Sequence, residues 1–279
     1  MVGRPFKPMK LGPWRHVAAS VIGASHQRLG GVCQDANACI VVSNPLHGDV
    51  LLAVVADGAG SATQAEVGAS MACQSITESA ARFLACRRLG RITRTTVENW
   101  IRAFQQGVSS TASASSLKPR DYACTLLAAL VGQNQAVFFQ IGDGSIVVAD
   151  AEEQSYGHVF WPDRGEYENA TFFATDRKFA TYLRFESVCR NVVELAMFSD
   201  GLQRLALDFQ KLMPHEPFFR GMFPPIRKAS IENSGDLAQG LNNFLGSPRI
   251  NQRTDDDKTL ILATRLCEHE PAQECAHAE

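Results

Sequence analysis

The sequence carries almost no net charge. Its 27 Lys and Arg stand against 29 Asp and Glu, a formal charge of −2, so nothing draws it broadly to nucleic acid or to an anionic membrane. Long apolar runs are missing too, and none could span a bilayer. The basic stretch Met1 to Arg15 contains Pro and has no apolar segment directly behind it. It does not read as a signal peptide, and a cytoplasmic location is expected. The eight cysteines include no Cys-x-x-Cys pair, which argues against a zinc knuckle. Most are expected to be small core residues, and disulfides are not expected. Cys33 lacks the Arg cradle of a Cys-x₅-Arg nucleophile. There is no Gly-x-Ser-x-Gly elbow, no Gly-x₄-Gly-Lys-Ser/Thr loop and no His cluster for zinc or iron. Serine hydrolases and P-loop ATPases are thereby disfavoured.

What the sequence does have is a set of apolar strands with acids at their ends. Leu51 to Ala56 reads as a buried strand and runs into Asp57-Gly58-Ala59-Gly60-Ser61. Ala136 to Ile141 runs into Gly142-Asp143-Gly144-Ser145, and Val192 to Phe198 into Ser199-Asp200-Gly201. Asp255-Asp256-Asp257 precedes the apolar Thr259 to Ala263, and Gln34-Asp35 precedes Ala38 to Val42. Converging carboxylates repel one another and need compensation. No matching set of Lys or Arg lies nearby in the sequence, and hard divalent cations take oxygen ligands. Two such ions can activate a water and neutralise phosphate oxygens, which favours phosphoester hydrolysis.

Apolar residues make up 45% of the chain, enough for a packed core in one domain of ordinary or slightly large size. Residues 1–13 read as a flexible arm, 14–266 as the folded domain and 267–279 as a polar tail. Strands are expected over 14–24, 38–43, 50–56, 122–131, 135–141, 146–149, 188–199 and 259–266. A long helix should start after Ser61 or Thr63, with Glu66 in capping-box spacing, and reach about Arg88. A second, capped by Thr95 or Thr96, should reach about Ser109, with 109–118 a loop or frayed end. The Pro- and Phe-rich stretch 210–225 reads as a lid, a docking surface or a plain crossover, and 236–245 as a short amphipathic helix. Strands outnumber helices without βαβ repetition, which gives an α+β fold with antiparallel sheets and helices outside. Two packed sheets would explain why several strands are apolar on both faces.

The order of these motifs resembles the PP2C family of metal-dependent serine/threonine phosphatases, in its bacterial branch. The first motif is Ser25, His26, Arg28, Gly30, Cys33, Gln34 and Asp35; the second runs Ala56-Asp57-Gly58-Ala59-Gly60-Ser61-Ala62. Gly142 to Ser145, Ser199-Asp200-Gly201 and Asp256-Asp257-Lys258-Thr259 supply the rest. The resemblance covers about residues 20–266. It implies a four-layer α-β-β-α sandwich with two central, mostly antiparallel sheets. It also implies hydrolysis of protein phosphoserine and phosphothreonine by a water that bridges two Mn²⁺ or Mg²⁺ ions. Asp57 would bridge the ions with the Gly58 carbonyl on one. Asp200 and Asp256 would complete the shell of the second ion, Asp35 would hold metal-bound waters from the other side, and Asp143 would hold a weaker third ion. The implied partners are a phosphorylated protein and a Ser/Thr kinase, with no nucleic acid and no membrane.

Two positions depart from the family. After Gly60 the chain has Ser61-Ala62 where relatives place a His that protonates the leaving alcohol; His26 is the candidate replacement, and a structural His the other reading. The phosphate-holding Arg of the best-known relatives falls on Gly30, leaving Arg28 as the nearest candidate. A catalytically silent binding module and a phosphatase of small phosphorylated ligands remain the alternatives at this stage.

Overall fold

The computed structural model describes residues 12–44, 48–151, 155–162, 171–229 and 234–265. Nearly all of the expected arm (1–13) and all of the expected tail (267–279) lie outside them. The strands are β1 (Arg15–Val21), β2 (Ala36–Asn44), β3 (Gly48–Ala56), β4 (Leu126–Val131), β5 (Ala136–Ile141) and β6 (Ser145–Asp150), then β7 (Gly157–His158), β8 (Arg184–Val188), β9 (Val192–Phe198), β10 (Leu207–Asp208), β11 (Met213–Pro214) and β12 (Lys258–Thr264). The helices are α1 (Ala24–Arg28), α2 (Ala65–Leu84), α3 (Arg94–Ala114), α4 (Phe179–Tyr182), α5 (Gln203–Ala206), α6 (Glu216–Arg227), α7 (Ser234–Leu245) and α8 (Pro248–Asn251).

Two five-stranded sheets form the centre, one ordered β2-β3-β4-β5-β8 and the other β1-β12-β9-β6-β7. Every described pairing is antiparallel. Strand alternation shows how they stack. Leu52, Val54 and Ala56 of β3 face the helices α2 and α3, while Leu51, Ala53 and Val55 face the second sheet. In β12, Leu260 and Leu262 face α6 and α7, and Ile261 and Ala263 face inward. A period of two that is apolar at both phases is what a strand between two packed layers requires. The result is the expected four-layer α-β-β-α sandwich.

The helices follow from their own patterns. In α3, Val97, Trp100, Ile101, Phe104, Val108 and Ala112 are buried at helical spacing. Its cap is Thr93, not Thr95 or Thr96: the Thr93 side chain accepts from the Thr96 amide, and Thr96 reciprocates. The helix runs on to Ala114, through part of the expected loop; Val108 and Ala112 keep it packed on the core, and Ser109, Ser110 and Ser113 donate back to carbonyls four residues earlier. The long helix α2 begins at Ala65 with no side-chain cap, so the Thr63–Glu66 box does not form, and it stops at Leu84 rather than Arg88. β1 ends at Val21, and Ala24–Arg28 turns into a helix instead of extending the strand. The stretch 210–225 is largely α6. Phe219, Phe223 and Ile226 are buried at i, i+4 and i+7, and Pro224 and Pro225 sit near its end. Arg227 at its last turn clasps the buried Glu194 of β9 through two hydrogen bonds of 2.6 and 3.0 Å, and Tyr156 donates to the same carboxylate at 2.7 Å. No described helix is long and apolar enough to cross a membrane.

Candidate active site

Antiparallel order alone gathers the acids at one edge. β3 and β5 run the same way, since β4 pairs antiparallel with both, so Asp57 and the Asp143 turn emerge on the same side. Phe198 at the end of β9 pairs with Ser145 and with Leu260, which brings Asp143, Asp200 and the start of β12 together. Ala36 pairs with Ala56, so Asp35 precedes β2 at the same edge.

A cleft of about 360 Å³ opens there, lined by Asp57, Asp143, Asp200, Asp256 and Asp257 together with His26, Gly58 and Thr125. Among the described residues, no Lys or Arg lines it. Asp57 is fixed by its backbone: its amide donates to Thr125 Oγ1 at 3.0 Å, and its carbonyl accepts from the Thr125 amide at 2.8 Å. The Gly58 amide donates to the Gln34 carbonyl at 3.1 Å. A Cβ at Gly58 would lie 2.7 Å from both that oxygen and the carbonyl of Ala65, so only glycine allows this approach. Asp35 is buried beneath; Ser199 Oγ donates to its Oδ2 at 2.7 Å, and its Oδ1 has no hydrogen-bond partner. Asp143 accepts from Thr171 Oγ1 at 2.9 Å.

The electrostatics are those of uncompensated like charge. Burial first, then Asp35 and Asp200 nearby, push the Asp57 carboxyl well above its ordinary value, and it lies within hydrogen-bond reach of Asp200. Burial, with Asp143 and Asp256, raises Asp200 to about 6. Burial raises Asp35 to about 7, with Asp257 and Asp200 adding to the rise against the Ser199 hydrogen bond. Asp256 is raised as well, chiefly by burial. No three of the described His, Cys, Asp or Glu side chains close around one point as they stand. The donor set nevertheless fits a hard cation: its carboxylates offer only oxygen, Asp35 Oδ1 lies buried beneath without a partner, and among the described residues no Lys or Arg lines the cleft to offset them.

These shifts have a consequence for stability. Each folded-state value lies above the ordinary 3.8. Without metal, the cluster therefore binds more protons folded than unfolded between about pH 4 and pH 7, and its contribution to stability falls as pH rises through that window. Thermal melts of chelator-treated protein are expected to show wild type losing ground to Asp57→Asn as pH rises. Parallel profiles for the two proteins would contradict the repulsion.

Not every expected residue reaches the cleft. Arg28, in the last turn of α1, is 72% exposed and pairs at 3.5 Å with the equally exposed Asp255; it does not line the cleft. His26 does line it, with Nδ1 3.0 Å from Asp257 Oδ2. Two residues matter more than their motif suggested. Asp257, 3% exposed, accepts from the amides of Gly23 and Gln34, each at 2.6 Å, and so ties the first motif to the last. Lys258 is fully buried; its Nζ donates to Asn251 Oδ1 at 2.9 Å and to the Asp256 carbonyl at 3.3 Å. The sign available in the sequence was a charged pair at the mouth of an otherwise apolar strand.

Gly201 is equally constrained. A Cβ there would sit 2.0 Å from the Asp257 carbonyl oxygen and 3.5 Å from Asp256 Cβ. Gly201→Ala is expected to push the Asp200 turn away from the Asp256 loop and to cut turnover about 10²-fold with the fold intact. Steady-state rates beside a far-ultraviolet circular dichroism spectrum check this.

The sequence model of the family described as Protein phosphatase 2C matches residues 22–246. The chain belongs to the protein phosphatase 2C family. Serine/threonine-protein phosphatase 3 of Escherichia coli is 35% identical over 254 residues, which is 90% of this chain and 98% of that protein. The chain is accordingly a metal-dependent phosphatase of phosphoserine and phosphothreonine in proteins. Among solved structures, the serine/threonine phosphatase of S. agalactiae superposes with a TM-score of 0.60 at 16% identity, covering 90% of this chain and 99% of that one. The catalytic domain of the phosphatase PstP, in complex with two manganese ions, gives 0.57 at 16% identity, covering 92% and 100%. Asp256 lies beyond the region matched by the protein phosphatase 2C sequence model, yet the fold delivers it to the same cleft.

Proposed function

We propose that Asp57, Asp200 and Asp256 hold two divalent ions, Mn²⁺ or Mg²⁺, with the Gly58 carbonyl as a further oxygen ligand. Asp143 serves a weaker third ion, and Asp35 steadies the site from beneath. The observation that carries this reading is a cleft lined by acids at four separate strand ends, with no Lys or Arg among the described residues that line it. Ions bound there supply an acidified water and charge neutralisation for the phosphoryl oxygens. The chain supplies the rest. Thr125 fixes the backbone that aims Asp57, and Ser199 orients Asp35. His26, held beside Asp257, donates the proton to the departing serine or threonine oxygen.

The substrate is then a protein phosphorylated by a Ser/Thr kinase of the same compartment. The six described free cysteines suit a reducing cytoplasm. Chelation and rigorous metal removal are expected to abolish hydrolysis of an aryl phosphate and of a phosphothreonine peptide, with recovery across a manganese series. Full turnover after metal removal would overturn the assignment. Faster turnover of nucleotides or sugar phosphates than of phosphopeptides would replace the protein substrate with a small one.

A further inference from the structure

Among the described residues no arginine lines the cleft that gathers the acids, and Arg28 turns away from it. Two other arginines stand immediately beside it. A polar groove of about 230 Å³ adjoins the cleft, with Asp200, Gly201, Asp255 and Asp256 on the near side and Arg204, Arg253 and Thr254 in its wall. Past Arg253 lies a mainly apolar hollow of about 420 Å³, walled by Leu205, Phe218, Met222, Phe244 and Ile250. Shared residues chain the three depressions: Asp200 and Asp256 join cleft to groove, and Arg253 joins groove to hollow.

Arg204 and Arg253 make no ion pair or side-chain hydrogen bond with another described residue. Both are exposed, and both are anchored close to the acids, Arg204 four residues after Asp200 and Arg253 three before Asp256. The neighbouring Asp255 carboxylate is taken by Arg28. The wall of the groove therefore presents two free guanidinium groups, which accept carboxylate geometry well. The hollow beyond presents apolar surface drawn from α5, α6, α7 and α8, of a size to seat one large side chain.

We propose that groove and hollow form the docking track for the substrate polypeptide. An acidic residue near the phosphorylated one is held by Arg204 and Arg253, and a large apolar side chain farther along seats between α6 and α7. The proposal rests on the phosphoprotein reading of the acidic cleft and gives it a sequence preference. Its grounds are charge complementarity and continuity with the cleft. A polypeptide whose phosphate enters the cleft must leave across one of its walls, and this wall offers paired positive charge followed by apolar area.

Three phosphothreonine peptides of equal length test it: one with acidic neighbours and a Phe, one with those acids changed to Lys, and one with the Phe changed to Ser. Wild type is expected to favour the first over each of the others by about tenfold in kcat/KM, carried mainly by KM. The double variant Arg204→Glu/Arg253→Glu should reverse the charge preference. Met222→Glu should erase the preference for Phe and keep the preference for acid. Equal kcat/KM for all three peptides in wild type, or an unreversed preference in the double variant, overturns the docking track and leaves the phosphoprotein reading standing. Hydrolysis of an aryl phosphate with no turnover of any phosphopeptide overturns both.

Discussion

Replacing Asp57 by Asn is expected to lower turnover by about 10³-fold or more while making the metal-free protein more stable than wild type. The two effects have one cause. Asn keeps the shape of the side chain and the backbone bonds to Thr125, but it removes a charge that burial and Asp35 and Asp200 oppose. Without metal, that charge is a liability, and its loss relieves repulsion. With metal, the same charge is on the proposed assignment a ligand of both ions, and a neutral amide holds a hard cation more weakly. Asp200→Asn should behave alike, since Asp143 and Asp256 crowd it in the same way. Initial rates and melts of chelator-treated protein measure both sides. An Asn variant that keeps wild-type turnover, or one that is destabilised without metal, would contradict the account.

The second large effect belongs to a residue without a direct ligand role. Asp257→Ala is expected to cost about 3–5 kcal/mol of stability, since it leaves the buried amide of Gly23 and the part-buried amide of Gln34 without partners and removes the contact to His26. For a domain of this size that corresponds to a fall of about 10 °C in melting temperature. Asp255→Ala, two residues away but 71% exposed, should cost about 0.5 kcal/mol or less. Urea unfolding separates the two, and similar midpoints would contradict the assignment of Asp257 as the tie between first and last motifs. Asp257→Asn carries a kinetic readout as well. It weakens the hold on His26, so a phosphoserine peptide, with its poor leaving group, should slow more than an aryl phosphate. Equal slowing would remove His26 from the proton transfer.

Much of this was legible from strand pattern alone. Apolar runs at both phases of the period of two required strands covered on both faces, and the two sheets are stacked accordingly. Acids at the ends of those runs predicted one shared edge, and antiparallel pairing delivers Asp57, Asp143, Asp200 and Asp256 to it. What sequence reasoning misjudged was set by local competition. Pro217, Pro224 and Pro225 obscured α6, although Phe219, Phe223 and Ile226 kept its helical spacing; Pro217 sits in the first turn, where the amide has no helical partner to lose, while Pro224 and Pro225 lie inside the helix and give up backbone bonds near its C-terminal end. The cap of α3 was expected at Thr95 or Thr96 and falls on Thr93, which residue type alone does not single out and which has Thr96 as its partner three residues on. Arg28 matched its motif by proximity in the chain, but α1 carries it outward to Asp255. Arg204 and Arg253 gave no sign at all, because their placement depends on how α5 and α8 flank the cleft.

The most direct test is anomalous scattering at the manganese edge from crystals soaked in Mn²⁺. The account predicts strong peaks inside the cleft, in contact with the carboxylates of Asp57, Asp200 and Asp256. Peaks confined to other surfaces, with those three carboxylates bare at saturating manganese, would contradict it.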